Sequence, residues 1–482
     1  MQKYLMLVLA MTLSGCIAVG PRYNEPGVEG LQEGYVYGGE DVFAAGEEAD
    51  ANPVWWRAFS DPRIGEMVGL AQAQNRDLRA AFFRLEAAEA RAGAARRALL
   101  PQGGTSFAIT RQQQPRAAFA GFGGAAGQQP QQQGGAPEFT LYQAQAQASW
   151  EVDLFGRLRR QAQGASARAE QQAELLRDAQ RLTTAQTVDT FLVLVEALNR
   201  RRVALDNLAL QQRTLALTEQ LYELGEIPQL DLFRQQTLVN TTAAQVKQLE
   251  NAAADATASM ALLVGMTVPD FLARFPDLID KDVAPPIPSA EGAIVLAEPA
   301  EVLRKRPDVI AAERQLAAET YDIGVETAGL FPQVSLVGSG GLTALDFSGL
   351  GEDNAVGYSV GPQISWQILS YPLLLRQRAA ASAEARAALA NYEQTVLRAL
   401  TETDRALAVH SGAVEQAVLL SDAERTATRA AELTAIRYRE GADSLLNLLD
   451  AQRTALSIQD QAVTAKVAAL RTRAAVHRVL AD

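Results

Sequence analysis

Residues 139–150 read FTLYQAQAQASW, and the side chains in this stretch alternate between two kinds. Every second residue from Tyr142 to Trp150 is aromatic or alanine, whereas the residues between them are glutamine or serine. Successive side chains of a β-strand point to opposite faces, so the pattern predicts a strand with one apolar and one polar face. The stretch is about as long as a membrane-crossing strand, which needs ~9–11 residues.

A second stretch, 358–368 (YSVGPQISWQI), alternates in the same way. Weaker alternation at 105–110 and 333–341 supplies a partner for each, which gives four predicted strands in two hairpins. Half-buried surface hairpins of a soluble protein are the alternative interpretation. The membrane length of both hairpins, together with an N-terminal export signal, favours membrane strands.

Four strands are too few to enclose a membrane barrel, because the smallest such barrels have about eight. An open sheet in lipid leaves the amide groups of its edge strands unpaired, at several kcal/mol per group. Two chains supply eight strands, but the interior of an eight-stranded barrel is filled by side chains. Three chains supply twelve strands and a wider interior. The sequence therefore predicts that three copies share one barrel, with the polar face toward water and the apolar face toward lipid.

The chain contains two copies of one plan. Residues 75–101 align without gaps with 306–332 at an offset of 231 residues, and residues 150–236 align with 366–452 at an offset of 216. Chance similarity between alanine-rich helices does not explain matched Pro, Trp, Tyr and Gly at constant spacing. The predicted organisation is, in chain order, repeat 1 at 55–268 with a hairpin at about 103–150, a proline-rich linker at 269–300, and repeat 2 at 301–482 with a hairpin at about 333–368.

Long helices are predicted on both sides of the hairpins. Residues 157–224 contain no proline, and as one helix they would extend about 100 Å, while 374–438 behaves in the same way. Apolar pairs recur every seven residues from Ala399 onward, which indicates a coiled-coil seam. Shorter helical segments are predicted at 62–99, 228–263, 301–329 and 444–480. Gly225 and Gly441 suit the turns that end the two long helices.

The N-terminus carries an export and anchoring signal. Residues 1–15 have the length and apolar core of a signal peptide, too short to span a bilayer. Leu13–Cys16 matches the bacterial lipobox, in which Cys16 becomes the lipidated first residue of the mature chain. A plain secretory signal with an incidental cysteine is the alternative. Residues 16–54 are then a tether, and Ile17 in place of an inner-membrane retention aspartate indicates the outer membrane.

Composition and motifs exclude several classes of function. The formal charge of −12 and the absence of a basic patch argue against nucleic acid as a partner. His410 and His477 are the two histidines, and neither has ligand-type neighbours at metal-binding spacing. His410 shares a seven-residue grid with Val396 and Thr403, which predicts a place in or beside the seam. With neither a nucleophile–base pair nor a phosphate-binding loop, we expect no enzymatic activity, no metal and no cofactor beyond the covalent lipid.

Several motifs match one known family along nearly the whole chain. They are Gly20–Tyr23, Trp55–Trp56, the WEVDLFGR of 150–157, the LRKRPDV of 303–309 and the LLDAQR of 448–453. In these motifs the chain resembles the TolC-type outer membrane efflux channels, in the lipoprotein branch that serves resistance-nodulation-division pumps.

The resemblance implies a mainly α protein with membrane β. Three chains would form a twelve-stranded β-barrel in the outer membrane, joined to a long α-helical coiled-coil barrel in the periplasm. This homotrimer would contact outer membrane lipid, a periplasmic adaptor protein and an inner membrane pump. It would passively conduct small molecules such as drugs, solvents or metal ions. A lipid-anchored periplasmic coiled-coil scaffold and a protein-secretion conduit are the alternatives.

The resemblance also implies a resting gate at the repeated Tyr-x-x-Gly turns. Carried over by position, the gate residues are Tyr438, Asp443, Asn447, Asp450 and Asp231. Relatives often have a base where Asp443 stands and an acid where Asn447 stands, so a rebuilt salt bridge would take its cation from Arg437, Arg439 or Arg234. In a trimer each aspartate becomes a ring of three, which favours cations at a constriction. Solvated residues at a helix end are the alternative interpretation.

Overall fold

The structure is a computed structural model that describes residues 18–27, 34–37, 43–45, 54–113, 138–278, 283–290 and 292–480. The predicted signal peptide at 1–15, Cys16 and most of the predicted tether lie outside the described residues, as does the Gly/Gln-rich stretch at 114–137.

Long helices account for most of the described chain. In chain order the helices are α1 (Pro62–Gln74), α2 (Arg76–Arg97), α3 (Arg157–Glu223), α4 (Gln229–Leu263), α5 (Val268–Arg274), α6 (Pro299–Lys305), α7 (Pro307–Ala328), α8 (Tyr371–Arg439) and α9 (Leu445–Leu480). The strands are β1 (Phe43–Ala45), β2 (Gln102–Gln113), β3 (Glu138–Val152), β4 (Ile294–Leu296), β5 (Gln333–Ala344) and β6 (Val356–Ser365).

The order of elements confirms the internal repeat. The series α2-β2-β3-α3-α4 is followed by α7-β5-β6-α8-α9 with nearly equal helix lengths. Helices α2 and α7 both have 22 residues, α3 and α8 have 67 and 69, and α4 and α9 have 35 and 36. The boundaries of the two sequence repeats stay a prediction.

Two segments predicted as continuous helices are broken, each at the same position of the repeat. The segment 62–99 breaks at Asn75 and ends at Arg97, and 301–329 breaks at Arg306 and ends at Ala328. At Asn75 the side-chain Oδ1 accepts the backbone N–H groups of the next helix, from residues 77 and 78 at 2.9 and 3.1 Å. Arg306 precedes a proline, which disfavours helical backbone at Arg306 and keeps it extended.

One antiparallel sheet has the strand order β2-β3-β5-β6. Strand β2 is longer than the predicted 105–110. Strand β6 ends at Ser365, so the prediction of a strand over 358–368 is wrong for Trp366 and Ile368, which lie beyond its end. The chain there turns into a 3-10 helix at Ile368–Ser370 and then into α8, which removes these two residues from the ladder. A second, small sheet pairs β1 with β4 in parallel.

The chain divides into two compact units, and each unit takes segments from both repeats. The first contains Ala87–Glu170 and Arg314–Leu389, and therefore the four-stranded sheet. The second contains Gln171–Glu313 and Ala390–Asp482. Its main core joins apolar side chains of α1, α3, α4 and α5, among them Ile64, Met67, Phe191, Met260 and Phe271.

The predicted seam is present on α8. Val396, Thr403 and His410 are buried at seven-residue intervals, and Ala399 and Leu407 are buried between them. His410 is 3 % exposed and its Nδ1 lies 3.0 Å from Thr472 Oγ1 on α9, which confirms its expected place. Within the described ranges no single helix is long and apolar enough to cross a bilayer. Helices α4 and α5 are long and apolar enough only when taken together, and they are bent by 94° at the break between them.

Candidate functional site

The four-stranded sheet has an exposed apolar face. Residues opposite each other in an antiparallel ladder share a face, and the register places Tyr142 opposite Ile109 and Trp150 opposite Leu336. On β6 the same face continues with Tyr358 and Val360, which are 86 % and 72 % exposed. The apolar half of the predicted alternation is therefore largely exposed in the described chain, except at Tyr142, whose ring packs edge-on against Phe347 at 6.0 Å.

The opposite face of the sheet is polar and uncharged along its central length. Gln147 on β3 lies opposite Ser339 on β5, which lies opposite Ser359 on β6. The two serine hydroxyl oxygens are 2.9 Å apart. The structure thus confirms the two-faced strands predicted from the sequence. Within the described chain, β2 and β6 each have a strand neighbour on one side only, so the sheet has two open edges.

A tryptophan ties each hairpin to the helix that precedes it. Trp150 donates its indole N–H to the carbonyl oxygen of Leu99 at 2.9 Å, and Trp366 donates to that of Leu330 at 3.2 Å. Each carbonyl belongs to the turn after a helix, where backbone acceptors have no partner within the helix. Both contacts lie at what we call the foot of the sheet, the end formed by Gln102, Val152, Gln333 and Ser365.

The segment that follows the predicted lipid site packs at the foot of the sheet. Val19 donates its backbone N–H to Phe155 O at 3.0 Å, and Tyr23 packs against Tyr321 with ring centroids 6.3 Å apart. Gly20 has φ of 93°, and a Cβ there would lie 2.6 Å from the Cα of Gly324. The sequence motif Gly20–Tyr23 marks this contact, but only the structure identifies its partners.

Two identical turns end the long helices. Gly225 and Gly441 have φ of 75° and 73°, in the left-handed region that glycine tolerates. In both turns the backbone N–H after the glycine donates five residues back, to Leu221 O at 2.9 Å and to Arg437 O at 2.8 Å. These are Schellman-type ends, as the sequence predicted from the glycines. We call the two turns and the first turns of α4 and α9 the tip.

At the tip the structure brings Asp443, Asn447 and Arg437 together. Asp443 accepts from Asn447 Nδ2 at 2.7 Å and from Ser444 N at 2.9 Å, and it forms an ion pair with Arg437 at 3.2 Å. The side-chain hydrogen bond from Asn447, the backbone N–H of Ser444 and the charge of Arg437 lower the pKa of Asp443. Of the three candidate arginines, Arg437 therefore supplies the cation to Asp443.

The other candidate gate residues are arranged differently. Asp231 pairs with Arg234 at 3.2 Å. Burial, followed by the charge of Asp231, raises the pKa of Tyr438, so these two predicted residues are electrostatically coupled. The Tyr438 hydroxyl is buried and has no hydrogen-bond partner among the described residues. Asp450 forms its own exposed ion pair with Arg453 at 2.9 Å and joins neither group.

Sequence reasoning missed two features close to the tip. A groove of about 550 Å³ lies between α4 and α9, with Leu230, Phe233 and Leu446 exposed along it. The second feature is a pair of buried amide side chains, Gln211 on α3 and Gln235 on α4. Three of their four polar atoms have no hydrogen-bond partner among the described residues. The fourth, Gln235 Nε2, donates to Gln211 O at 2.7 Å. The signal available in the sequence was a glutamine within each of two helical segments that contact one another.

Comparison with known proteins assigns the family. The outer membrane efflux protein family matches residues 67–266 and 299–482. A pyoverdine export outer membrane protein of Pseudomonas putida, OpmQ, is 30 % identical over 431 residues, covering 88 % of this chain and 87 % of that protein. The toluene efflux pump outer membrane protein TtgF of Pseudomonas putida is 28 % identical, covering 99 % and 96 %.

Solved structures agree with the family match. The outer-membrane channel OprN superposes with a TM-score of 0.83 at 34 % identity, covering 96 % of this chain and 99 % of that one. The Campylobacter jejuni CmeC outer membrane channel has the same fold, with a TM-score of 0.87 at 19 % identity and coverage of 96 % and 94 %. The chain belongs to the outer membrane efflux protein family, which confirms the resemblance drawn from its motifs.

Proposed function

We propose that three copies of this chain form a passive conduit through which small molecules leave the cell. The observation that carries the proposal is the four-stranded sheet, which has one exposed apolar face, one polar face and two open edges. An open edge in lipid is costly, and pairing β2 of one copy with β6 of the next satisfies both edges. Three copies then give a twelve-stranded barrel with a neutral, polar lumen.

The conduit works as part of a tripartite assembly. The tip contacts a periplasmic adaptor protein, through the exposed leucine and phenylalanine side chains of its groove. An inner membrane pump supplies the energy, since a pore only lets solutes move downhill, and the chain itself catalyses no reaction. Relatives named for export of pyoverdine and toluene support small molecules as the cargo.

The chain is anchored by a lipid on Cys16. The contact between Val19 and Phe155 supports this, because it holds residues close to Cys16 in sequence at the foot of the sheet. Acyl chains attached there would reach the apolar face without a long linker. A Cys16→Ala variant is expected to incorporate no labelled palmitate. In cells that still export the variant chain, efflux is expected to continue.

The tip is the resting gate. Coupling of Tyr438 to Asp231 and of Asp443 to Arg437 and Asn447 supports a closed arrangement held by polar contacts. Asp450 and Asp231 would form rings of negative charge in the trimer, which favour cations at the constriction.

The decisive experiment measures assembly and conductance together. The purified protein is expected to run as an SDS-resistant trimer before heating and to conduct ions in a planar bilayer. A monomer that extracts without detergent and does not conduct would instead indicate a periplasmic scaffold. Loss of protein secretion, with unchanged solvent and drug tolerance in a deletion strain, would indicate a secretion conduit.

The gate is tested in the same bilayers. Asp231→Asn combined with Asp450→Asn is expected to change single-channel conductance and weaken cation preference, because it neutralises both rings. Asp422→Asn removes an acid that is about as exposed as Asp450 and pairs with Arg425 on α8, and it serves as the control. Identical conductance and ion preference in the gate variant and the control would disprove this role.

A further inference from the structure

A cavity of about 420 Å³ lies at the foot of the sheet, between α2, α3 and α7. Three of its lining side chains are arginines, Arg96, Arg159 and Arg314, and one is acidic, Glu170. Leu99 and Tyr321 form apolar parts of the wall. The cavity is therefore positively charged on balance and partly apolar, which suits an anionic group attached to a hydrocarbon.

The arginines of this cavity differ in how far they are neutralised. Arg159 pairs with Asp153 at 3.1 Å, and Arg314 pairs with Glu170 at 3.2 Å. Arg96 is exposed, donates to Ser166 Oγ at 3.0 Å and forms no ion pair with any described carboxylate. Its remaining guanidinium donors are available for a phosphate, which accepts such donors in pairs.

The second repeat argues against a purely structural role for Arg96. Basic residues in the last turn of a helix complement its dipole, and α2 ends with Arg96 and Arg97. Helix α7 occupies the matched position of the second repeat, has the same length and ends without a basic residue. Since α7 forms without them, the arginines of α2 are not needed to end the helix.

The wall of the cavity is hydrogen-bonded to a residue of the apolar face of the sheet. Trp150 belongs to that face, and its indole N–H bonds to the carbonyl of Leu99, which lines the cavity. Tyr321 lines the cavity from the other side and packs on Tyr23, in the segment that follows the predicted lipid anchor. A lipid whose acyl chains cover the apolar face would have its headgroup level with the cavity.

We infer that the cavity binds the phosphate of an anionic phospholipid, with Arg96 as the main ligand and the acyl chains against the apolar face beyond Trp150. The inference rests on the proposed function, in which that face meets lipid. A net positive wall favours phosphatidylglycerol over phosphatidylethanolamine, whose ammonium group the arginines repel. In a trimer there would be three such sites, one at the first-repeat helix of each copy.

The test is native mass spectrometry of the detergent-solubilised full-length trimer with added phosphatidylglycerol or phosphatidylethanolamine. Wild type is expected to retain phosphatidylglycerol more strongly, and Arg96→Gln to weaken its retention about tenfold, as for the loss of one charged hydrogen bond. Arg425→Gln, which removes an exposed arginine on α8, is the control and should retain the lipid like wild type. SDS resistance of each variant reports whether the trimer is intact.

Three outcomes would overturn the inference. Equal retention of phosphatidylglycerol by Arg96→Gln and wild type would remove Arg96 from the site. Equal retention of the two lipids by wild type would remove the charge preference. Displacement of the lipid by millimolar inorganic phosphate would mean a phosphate site that does not need a lipid. An intact, conducting trimer with any of these results leaves the proposed conduit standing, whereas a monomer that does not conduct refutes the conduit itself.

Discussion

Trp150 donates its indole N–H to the carbonyl oxygen of Leu99 across 2.9 Å, and Trp366 makes the same bond to Leu330 at 3.2 Å. The two tryptophans are matched in the sequence repeat, and so are the two leucines, although the two pairs follow different offsets. Each bond joins the turn after a helix to the end of the second strand of the hairpin that follows this helix. The repeat thus preserves a contact as well as a pattern of elements.

Removing one of these bonds is expected to weaken the foot of the sheet. Trp150→Phe keeps an aromatic ring on the apolar face but removes the donor, at a cost of about 1 kcal/mol. The temperature at which the SDS-resistant assembly dissociates should fall, and Trp366→Phe should lower it by a similar amount. Unchanged dissociation temperatures in both variants would mean that water replaces the indole without loss.

Arg306 is expected to be among the most sensitive polar residues. It is 2 % exposed, and its Nη2 lies 2.7 Å from Asp308 Oδ2 and 3.4 Å from Glu402 Oε2. Burial alone would raise the pKa of Asp308, but the hydrogen bond and charge of Arg306 bring it below its usual value. Arg306→Met leaves this carboxylate without its partner and should cost about 3 kcal/mol, measured by denaturant unfolding.

Lys305→Met provides the neighbouring control for Arg306. Lys305 is exposed and pairs with Glu301 one helical turn away at 2.6 Å. Such exposed pairs contribute at most about 0.5 kcal/mol, so the variant should unfold close to wild type. A loss as large as that of Arg306→Met would show that removing any positive charge at the end of α6 destabilises the chain, and that the buried ion pair is not the cause.

His410 is expected to make stability depend on pH. Burial, followed by the positive charges of Arg473 and His477, lowers the pKa of His410 from 6.5 to about 4. As the pH falls, the unfolded chain therefore binds this proton before the folded chain does. The contribution of His410 to the free energy of unfolding is complete above pH 6.5 and declines as the pH falls toward about 4. The loss should reach about 3 kcal/mol near the lower end of this window.

The His410→Gln variant tests this origin of the pH dependence. Glutamine keeps a polar contact to Thr472 within reach but does not titrate, so its unfolding free energy should vary less between about pH 6.5 and 4.5 than that of wild type. Parallel pH profiles for the variant and wild type would assign the dependence to other groups.

Gln211 is expected to be replaceable with a gain in stability. Its side chain is buried, with the residue 1 % exposed, and neither amide atom has a partner among the described residues. The bond from Gln235 goes to the backbone carbonyl of Gln211 and survives substitution. Gln211→Met removes two unsatisfied polar atoms at similar size and should raise the unfolding free energy by about 1 kcal/mol.

Gln212→Met, on the exposed side of the same helix, is the control for that substitution. It should leave stability unchanged, because a surface amide is hydrated in both the folded and unfolded states. Destabilisation by Gln211→Met would indicate that its amide is satisfied in the assembled protein, by water or by a neighbouring copy.

Several features were available from the sequence because local chemistry specifies them. Alternation in FTLYQAQAQASW requires only that successive strand side chains face opposite ways, and the structure has a strand at Glu138–Val152 with those two faces. The ends of the long helices follow from Gly225 and Gly441, since glycine tolerates the left-handed backbone that closes a helix. The repeat followed from spacing alone.

Tertiary structure decided what depends on residues far apart in the chain. Sequence offered Arg437, Arg439 and Arg234 equally as partners for Asp443, and only the turn geometry selects Arg437. Three further features also depend on segments that are distant in the sequence. They are the pairing of β3 with β5, the burial of Arg306 and the hydrogen bond from Arg96 to Ser166. Periodicity fixes which way a side chain points along its own helix or strand, whereas its neighbour across the fold depends on how those elements pack together.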